Sequence, residues 1–137
     1  AIKNLGLGDT KLQRKMMDSQ AAREGKENLI TAEDFAHLLE LIYKGENINA
    51  KFSGLMLNIL KRQQVRGRLD LYLPEEVVIA HKTGDLDYLE HDGGIVYLPD
   101  KEYIICVLTN QTESNKEGRE IIGKISRMAY EYMLHGN

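Results

Sequence analysis

The chain has 137 residues, 42% of them hydrophobic and 28% charged, and a formal net charge of −3. That balance suits one globular domain with a real core, and mixed charge with no basic stripe argues against nucleic acid as the main partner. The longest apolar runs, such as residues 103–108, are far too short to cross a bilayer, and the single cysteine, Cys106, excludes an internal disulfide.

In chain order, residues 1–30 hold Gly6, Gly8 and Gly25, many charges and only a weak period. They read as a long irregular segment with one short helix near residues 12–22, and long irregular segments inside domains are often functional. The chain opens at Ala1 without an initiator methionine, as a processed, cleaved or truncated chain would. Thr31, with Asp34 three residues on, predicts an N-cap resembling a capping box. Phe35, Leu38, Leu39 and Ile42 follow at helical spacing until Gly45. A second helix is expected over residues 50–63, with Phe52, Leu55, Met56, Ile59 and Leu60 on one face.

After Pro74 the pattern turns to short β-branched and aromatic runs: residues 77–80, 94–98 and 103–109. Gly84–Asp85, Asp92–Gly93–Gly94 and Pro99–Asp100 separate them as turn formers, and the close spacing of Leu98 and Tyr103 predicts an antiparallel hairpin. Cys106, between Ile105 and Val107, reads as a small core residue. A last helix is predicted over residues 114–134, with Ile121, Ile122, Ile125, Met128, Ala129 and Tyr132 as its apolar stripe. The expected class is α+β, an antiparallel sheet with helices packed on one face. Three strands make a thin core with open edges, so the architecture reads as incomplete.

The chemistry concentrates in Ala80-His81-Lys82-Thr83-Gly84. A Lys-Thr-Gly triplet at a strand end is one of three signatures of penicillin-binding proteins and class A β-lactamases. There the lysine supplies a fixed positive charge beside a substrate carboxylate, the threonine hydroxyl donates to it, and the glycine lets a ligand lie against the strand edge. The surroundings agree: Leu12-Gln13-Arg14, Thr31-Ala32-Glu33-Asp34, Leu60-Lys61-Arg62-Gln63-Gln64 through Arg68-Leu69 and Leu73-Pro74, His91-Asp92-Gly93-Gly94-Ile95-Val96, and Gly118-Arg119 with Ile121-Ile122-Gly123 and Ile125-Ser126. In that order, and over nearly the whole length, the chain resembles the C-terminal portion of a class A β-lactamase or related penicillin-recognising serine hydrolase.

The resemblance implies a β-lactamase/transpeptidase-like fold with three of the family's five strands present. It divides the chain into an Ω-loop-like segment (1–30), the helical part of the α domain (31–73), and three strands with the closing helix of the α/β domain (74–137). Lys82, Thr83 and Gly84 become site residues, and the backbone N–H of Asp85 becomes half of an oxyanion hole. Arg68, fourteen residues before Lys82, either helps bind the substrate carboxylate or is a solvated arginine in a charged turn.

Two departures stand beside the matches. No Ser-x-x-Lys and no Ser-Asp-Asn occurs, so the attacking serine is expected in polypeptide preceding this chain. The deacylating carboxylate expected two residues after Arg14 is replaced by Met16, which accepts no proton. Glu24, which repeats a Glu…Asn spacing with Asn28, and Asp18 are the candidate substitutes. The expected function is the C-terminal part of an enzyme that hydrolyses or is acylated by β-lactams or peptidoglycan peptides, inactive without its N-terminal part or a swapped copy. The alternative is a non-catalytic module that binds a ligand or protein. No cofactor or metal is implied, since His37, His81, His91 and His135 lack ligand spacing. Secretion is implied by the resemblance alone.

Overall fold

The computed structural model describes residues 1–136. After a single 3-10 turn at Lys3–Leu5, the elements are α1 (Ser19–Arg23), α2 (Ala32–Lys44), α3 (Ala50–Lys61), β1 (Ile79–Leu86), β2 (Leu89–Leu98), β3 (Lys101–Leu108) and α4 (Asn115–His135). The short helix of the first segment thus lies at residues 19–23, while residues 12–18, expected to be helical, are not.

Each long helix starts on a side-chain oxygen that satisfies an orphan amide. Thr31 accepts from the Asp34 N–H, Asn49 from Phe52 and Ser114 from Glu117. The expected capping box at Thr31 is only half formed. Asp34 instead accepts from the Asp9 N–H at 3.0 Å and the Thr10 hydroxyl at 2.7 Å, pinning the first ten residues to α2. Gly45 ends α2 at φ 78°, a left-handed position that glycine takes without a Cβ clash.

The sheet has the order β1-β2-β3, all antiparallel, with β1 and β3 as its edges. The hairpin across Pro99–Asp100 forms as predicted, with Leu98 paired to Lys101. Two other expected turns do not. Gly84 and Asp85 lie inside β1, and the chain reverses at Asp87–Tyr88; Asp92, Gly93 and Gly94 lie inside β2. The last two are glycines because the sheet is approached closely there. A Cβ at Gly93 would stand 2.3 Å from the Phe35 ring, and one at Gly94 2.6 Å from the His81 Cβ.

Helices cover both faces of the sheet, not one. Leu39 of α2 and Leu57 and Leu60 of α3 pack on Ala80, Ile95 and Ile104. On the other face Ile122 of α4 and Leu69 pack on Ile79 and Val96. The expected apolar stripes are rotated from what is buried. Helix α3 buries Ser53 and packs Leu57 and Leu60 while exposing Phe52, Leu55 and Ile59; α4 buries Gly118, Ile122, Gly123 and Ser126 while exposing Ile121, Ile125, Met128 and Tyr132. Met16, Met17 and Met128 are also exposed. Cys106 lies on β3 against the α2–α3 side, and burial pushes its thiol up to about 12.

Candidate active site

Strand β1 carries the Lys-Thr-Gly triplet along an edge whose outer side pairs with no other strand among the described residues. Side chains alternate across a strand, so Ala80, Lys82 and Gly84 share the α2–α3 face and His81, Thr83 and Asp85 the α4 face. Lys82 is exposed, and its ammonium donates to the Thr83 carbonyl. Thr83 is buried opposite Asp92. A ligand touching both must therefore lie along the edge itself. A Cβ at Gly84 would meet nothing within 4 Å, and its φ is not left-handed. Neither packing nor backbone geometry asks for glycine there; what it keeps clear is open space.

Behind this edge lies a buried polar network. Arg68 is not a solvated arginine: it is 5% exposed, its Nε donates to Glu90 at 2.7 Å and its Nη2 to Asp85 at 3.3 Å. Glu90, also buried, accepts on its other oxygen from Arg119 at 2.9 Å and from the Asn115 amide at 3.0 Å. One residue pair further along, His81 Nδ1 lies 3.0 Å from both carboxylate oxygens of Asp92. A carboxylate only accepts, so Nδ1 carries the proton. Asp92 also accepts from the Leu69 N–H at 3.2 Å, and the Ser126 hydroxyl donates to the Leu69 carbonyl at 2.7 Å. The connection bearing Arg68 is thereby tied to β2 and to α4 beneath the triplet. Buried charges persist only when paired in this way.

A cavity of about 580 Å³ joins the turn end of β1 to the first segment; among its walls are Arg14, Met16, Glu27, Asn28, Gly84 and Asp85. The segment closes on itself at its base. Lys11 and Leu29 form a β-bridge, Arg14 pairs with Glu27 at 2.8 Å, and the Asn28 side-chain oxygen accepts from the Gln13 and Arg14 N–H groups at 2.9 and 3.1 Å. Close ends and a self-held neck are the form of an Ω-loop. Within it Met16 is 80% exposed. Glu24 faces solvent, and hydrogen bonds from Lys26 and then Gln20 hold its carboxyl below the usual value, which weakens it as a base. Asp18 caps α1 through the Ala21 N–H at 2.9 Å. Neither of these two residues is among the walls of the cavity. Asn28, spaced from Glu24 like a functional pair, is instead part of the neck.

Sequence reasoning missed Glu90, Asp92 as a partner of His81, and Glu27. The unusual placement of acidic residues amid β2's apolar pattern (Glu90 and Asp92 before Ile95-Val96) was the available signal for the first two. Nothing local marks Glu27, because its partner lies thirteen residues away in the chain.

A family model described as "Beta-lactamase enzyme family" matches residues 1–133. A curated protein named "Beta-lactamase" from Bacteroides uniformis is 37% identical over 70 residues, covering 44% of this chain and 24% of that protein. Among solved structures, the β-lactamase from Sphaerobacter thermophilus superposes with a TM-score of 0.85 at 30% identity, covering 93% of this chain and 49% of that one. A mutant of PBP-A, solved as an acyl-enzyme complex with penicillin G, gives 0.85 at 26% identity, covering 98% and 49%. The chain therefore spans about half the length of these solved relatives, and about a quarter of the curated one.

Proposed function

Because the chain belongs to the β-lactamase enzyme family and corresponds to its C-terminal portion, we propose that it supplies the anion-gripping edge of a serine hydrolase acting on the cyclic amide of β-lactams. The observation that carries this reading is the edge of β1: an exposed Lys82, a Thr83 beside it, and unfilled space at Gly84 that no packing demand explains. Lys82 sets a positive charge at the edge and Thr83 a hydroxyl, together orienting a substrate carboxylate. The Asp85 N–H serves as one donor of an oxyanion hole, whose other donor comes from the residue that attacks. That nucleophile is not among these 137 residues, which contain no Ser-x-x-Lys. Alone, the chain is not acylated.

The apolar faces of α3 and α4 are where the remainder of such an enzyme, or a swapped copy, fits. Met16, standing where the family's deacylating carboxylate is expected, favours acylation followed by slow hydrolysis, since a thioether cannot take a proton from water. That is penicillin-binding behaviour rather than efficient turnover. The substrate class implies work outside the cytoplasm; no helix among the described residues is long and apolar enough to cross a membrane.

Co-expression with an N-terminal half bearing Ser-x-x-Lys tests the reading through covalent labelling by a fluorescent penicillin and through nitrocefin turnover. Labelling by the pair and by neither part alone is the expected result. A folded pair that takes up no label would leave only a non-catalytic module with the same fold.

A further inference from the structure

Met16 stands on the wall of the cavity beside the triplet, and the same wall holds a base of another kind, His91. His91 is the ladder partner of Gly84. Paired residues project to the same side of a sheet, so its ring shares the α2–α3 face with Lys82, and residue 84 has no side chain to cover it. The His91 Nδ1 lies 2.8 Å from the Glu90 carbonyl. A carbonyl only accepts, so Nδ1 carries the proton and Nε2 the lone pair. Nε2 has no hydrogen-bond partner among the described residues. Burial holds the imidazole below its usual value, against the opposing pull of the Glu90 carbonyl and charge, which keeps it neutral at pH 7. The other charged groups on this wall are engaged: Arg14 with Glu27 at 2.8 Å, and Asp85 with Arg68 at 3.3 Å. Lys82, on the same face, donates to the Thr83 carbonyl.

We propose that His91 is the general base of deacylation, taking a proton from the water that hydrolyses the acyl-enzyme. The inference rests on the serine-acylation reading above. In that reading the Asp85 N–H holds the acyl carbonyl oxygen, and Asp85 borders the same cavity as His91. Nε2 takes one proton from a water in the cavity while the water oxygen bonds to the acyl carbon. The tetrahedral intermediate then breaks its bond to the serine oxygen, which takes the proton from the imidazolium and leaves free serine and the hydrolysed product. An imidazole does this at neutral pH, where Met16 offers no basic atom.

The test uses the protein complete with its Ser-x-x-Lys part, as wild type and His91→Asn. Asparagine keeps an N–H for the Glu90 carbonyl and lacks a basic nitrogen. Mass spectrometry follows the formation and loss of the benzylpenicilloyl adduct. The readout is the ratio of deacylation to acylation rate constants, in which a general loss of site geometry cancels. His91→Asn is expected to lower that ratio about a hundredfold. In the wild type, deacylation should fall as pH drops below 6.5, the ordinary imidazole value, roughly tenfold per pH unit, and His91→Asn should lose that fall. An unchanged ratio in His91→Asn overturns the proposal. So does a wild-type deacylation rate that stays flat from about pH 5 to 8, a measurement that needs no variant to fold. If no adduct forms while the assembled wild type is folded, the serine-acylation reading itself fails and takes this inference with it.

Discussion

The interior beneath β1 and β2 and the outer faces of α3 and α4 have exchanged their usual contents. Arg68, Glu90, His81 and Asp92 are buried, while Phe52, Leu55, Ile59, Ile125 and Met128 are exposed. Isolated exposed hydrophobics need no explanation, but runs of them at i, i+3, i+4 and i+7 on two helices do. Inside, each charge has a partner from a different element, so the network fixes where the edge strand sits relative to α4. Outside, the apolar rows have no partner among the described residues. On the proposed reading, the first region positions a site and the second receives a cover.

That contrast can be broken at its strongest point. Glu90→Ala takes the carboxylate from Arg119 and leaves the buried Arg68 only its longer contact to Asp85, and is expected to cost about 3–5 kcal/mol, read by urea denaturation; a cost below that of an ordinary surface change would show the network to be incidental. Gly94→Ala forces a Cβ to within 2.6 Å of His81 and 2.7 Å of the Ala80 carbonyl, and should cost roughly 1–3 kcal/mol. Ser126→Ala removes the buried donor to Leu69 and should cost about 1 kcal/mol. On the outer face the pair Phe52→Ser and Ile59→Ser should change the chain's own stability by no more than about 0.5 kcal/mol each, yet weaken its association with the N-terminal part. Pull-down titration distinguishes that from a large intrinsic loss, which would mean these residues are core after all.

Alkaline pH sharpens the comparison from the other side. Burial, and after it the nearby Asp92 charge, raise the Cys106 thiol to about 12, and burial raises the Tyr103 hydroxyl to about 12. In the unfolded chain these groups titrate near their ordinary values of 9.0 and 10.0. The folded state then holds more protons, so this stability is complete below pH 9 and is lost as pH rises towards 12. Denaturation midpoints should fall across that window, and replacing Cys106 by alanine should flatten the first part of the fall.

The sequence made the element order and the α2 and α4 starts legible because caps and helical periods are local. Thr31, Ser114 and the Pro99–Asp100 hairpin needed no knowledge of distant residues. It misplaced Gly93–Gly94 as a turn because a glycine demanded by a close neighbour looks the same as one demanded by a turn, and Gly84–Asp85 because a glycine that leaves open space on an edge strand looks the same too. Phe35 and His81, the neighbours in question for β2, are far away in the chain. The helix stripes were misread for a related reason: a period says which residues share a face, not which face meets this sheet. On α3 the fully buried position is Ser53, held through the Asn47 backbone, and not a hydrophobe. The triplet at Lys82 was readable as a motif, whereas Glu90, which accepts from Arg68 and Arg119, depends on pairings formed only after folding.

The direct measurement is the rate of benzylpenicillin acylation in the assembled protein with Lys82 replaced by glutamine. Removing one charge-assisted hydrogen bond from the site predicts a fall of about ten- to a hundredfold with the denaturation midpoint little changed, because Lys82 is exposed on an edge strand. Acylation as fast as wild type would contradict an anion-gripping role for that edge.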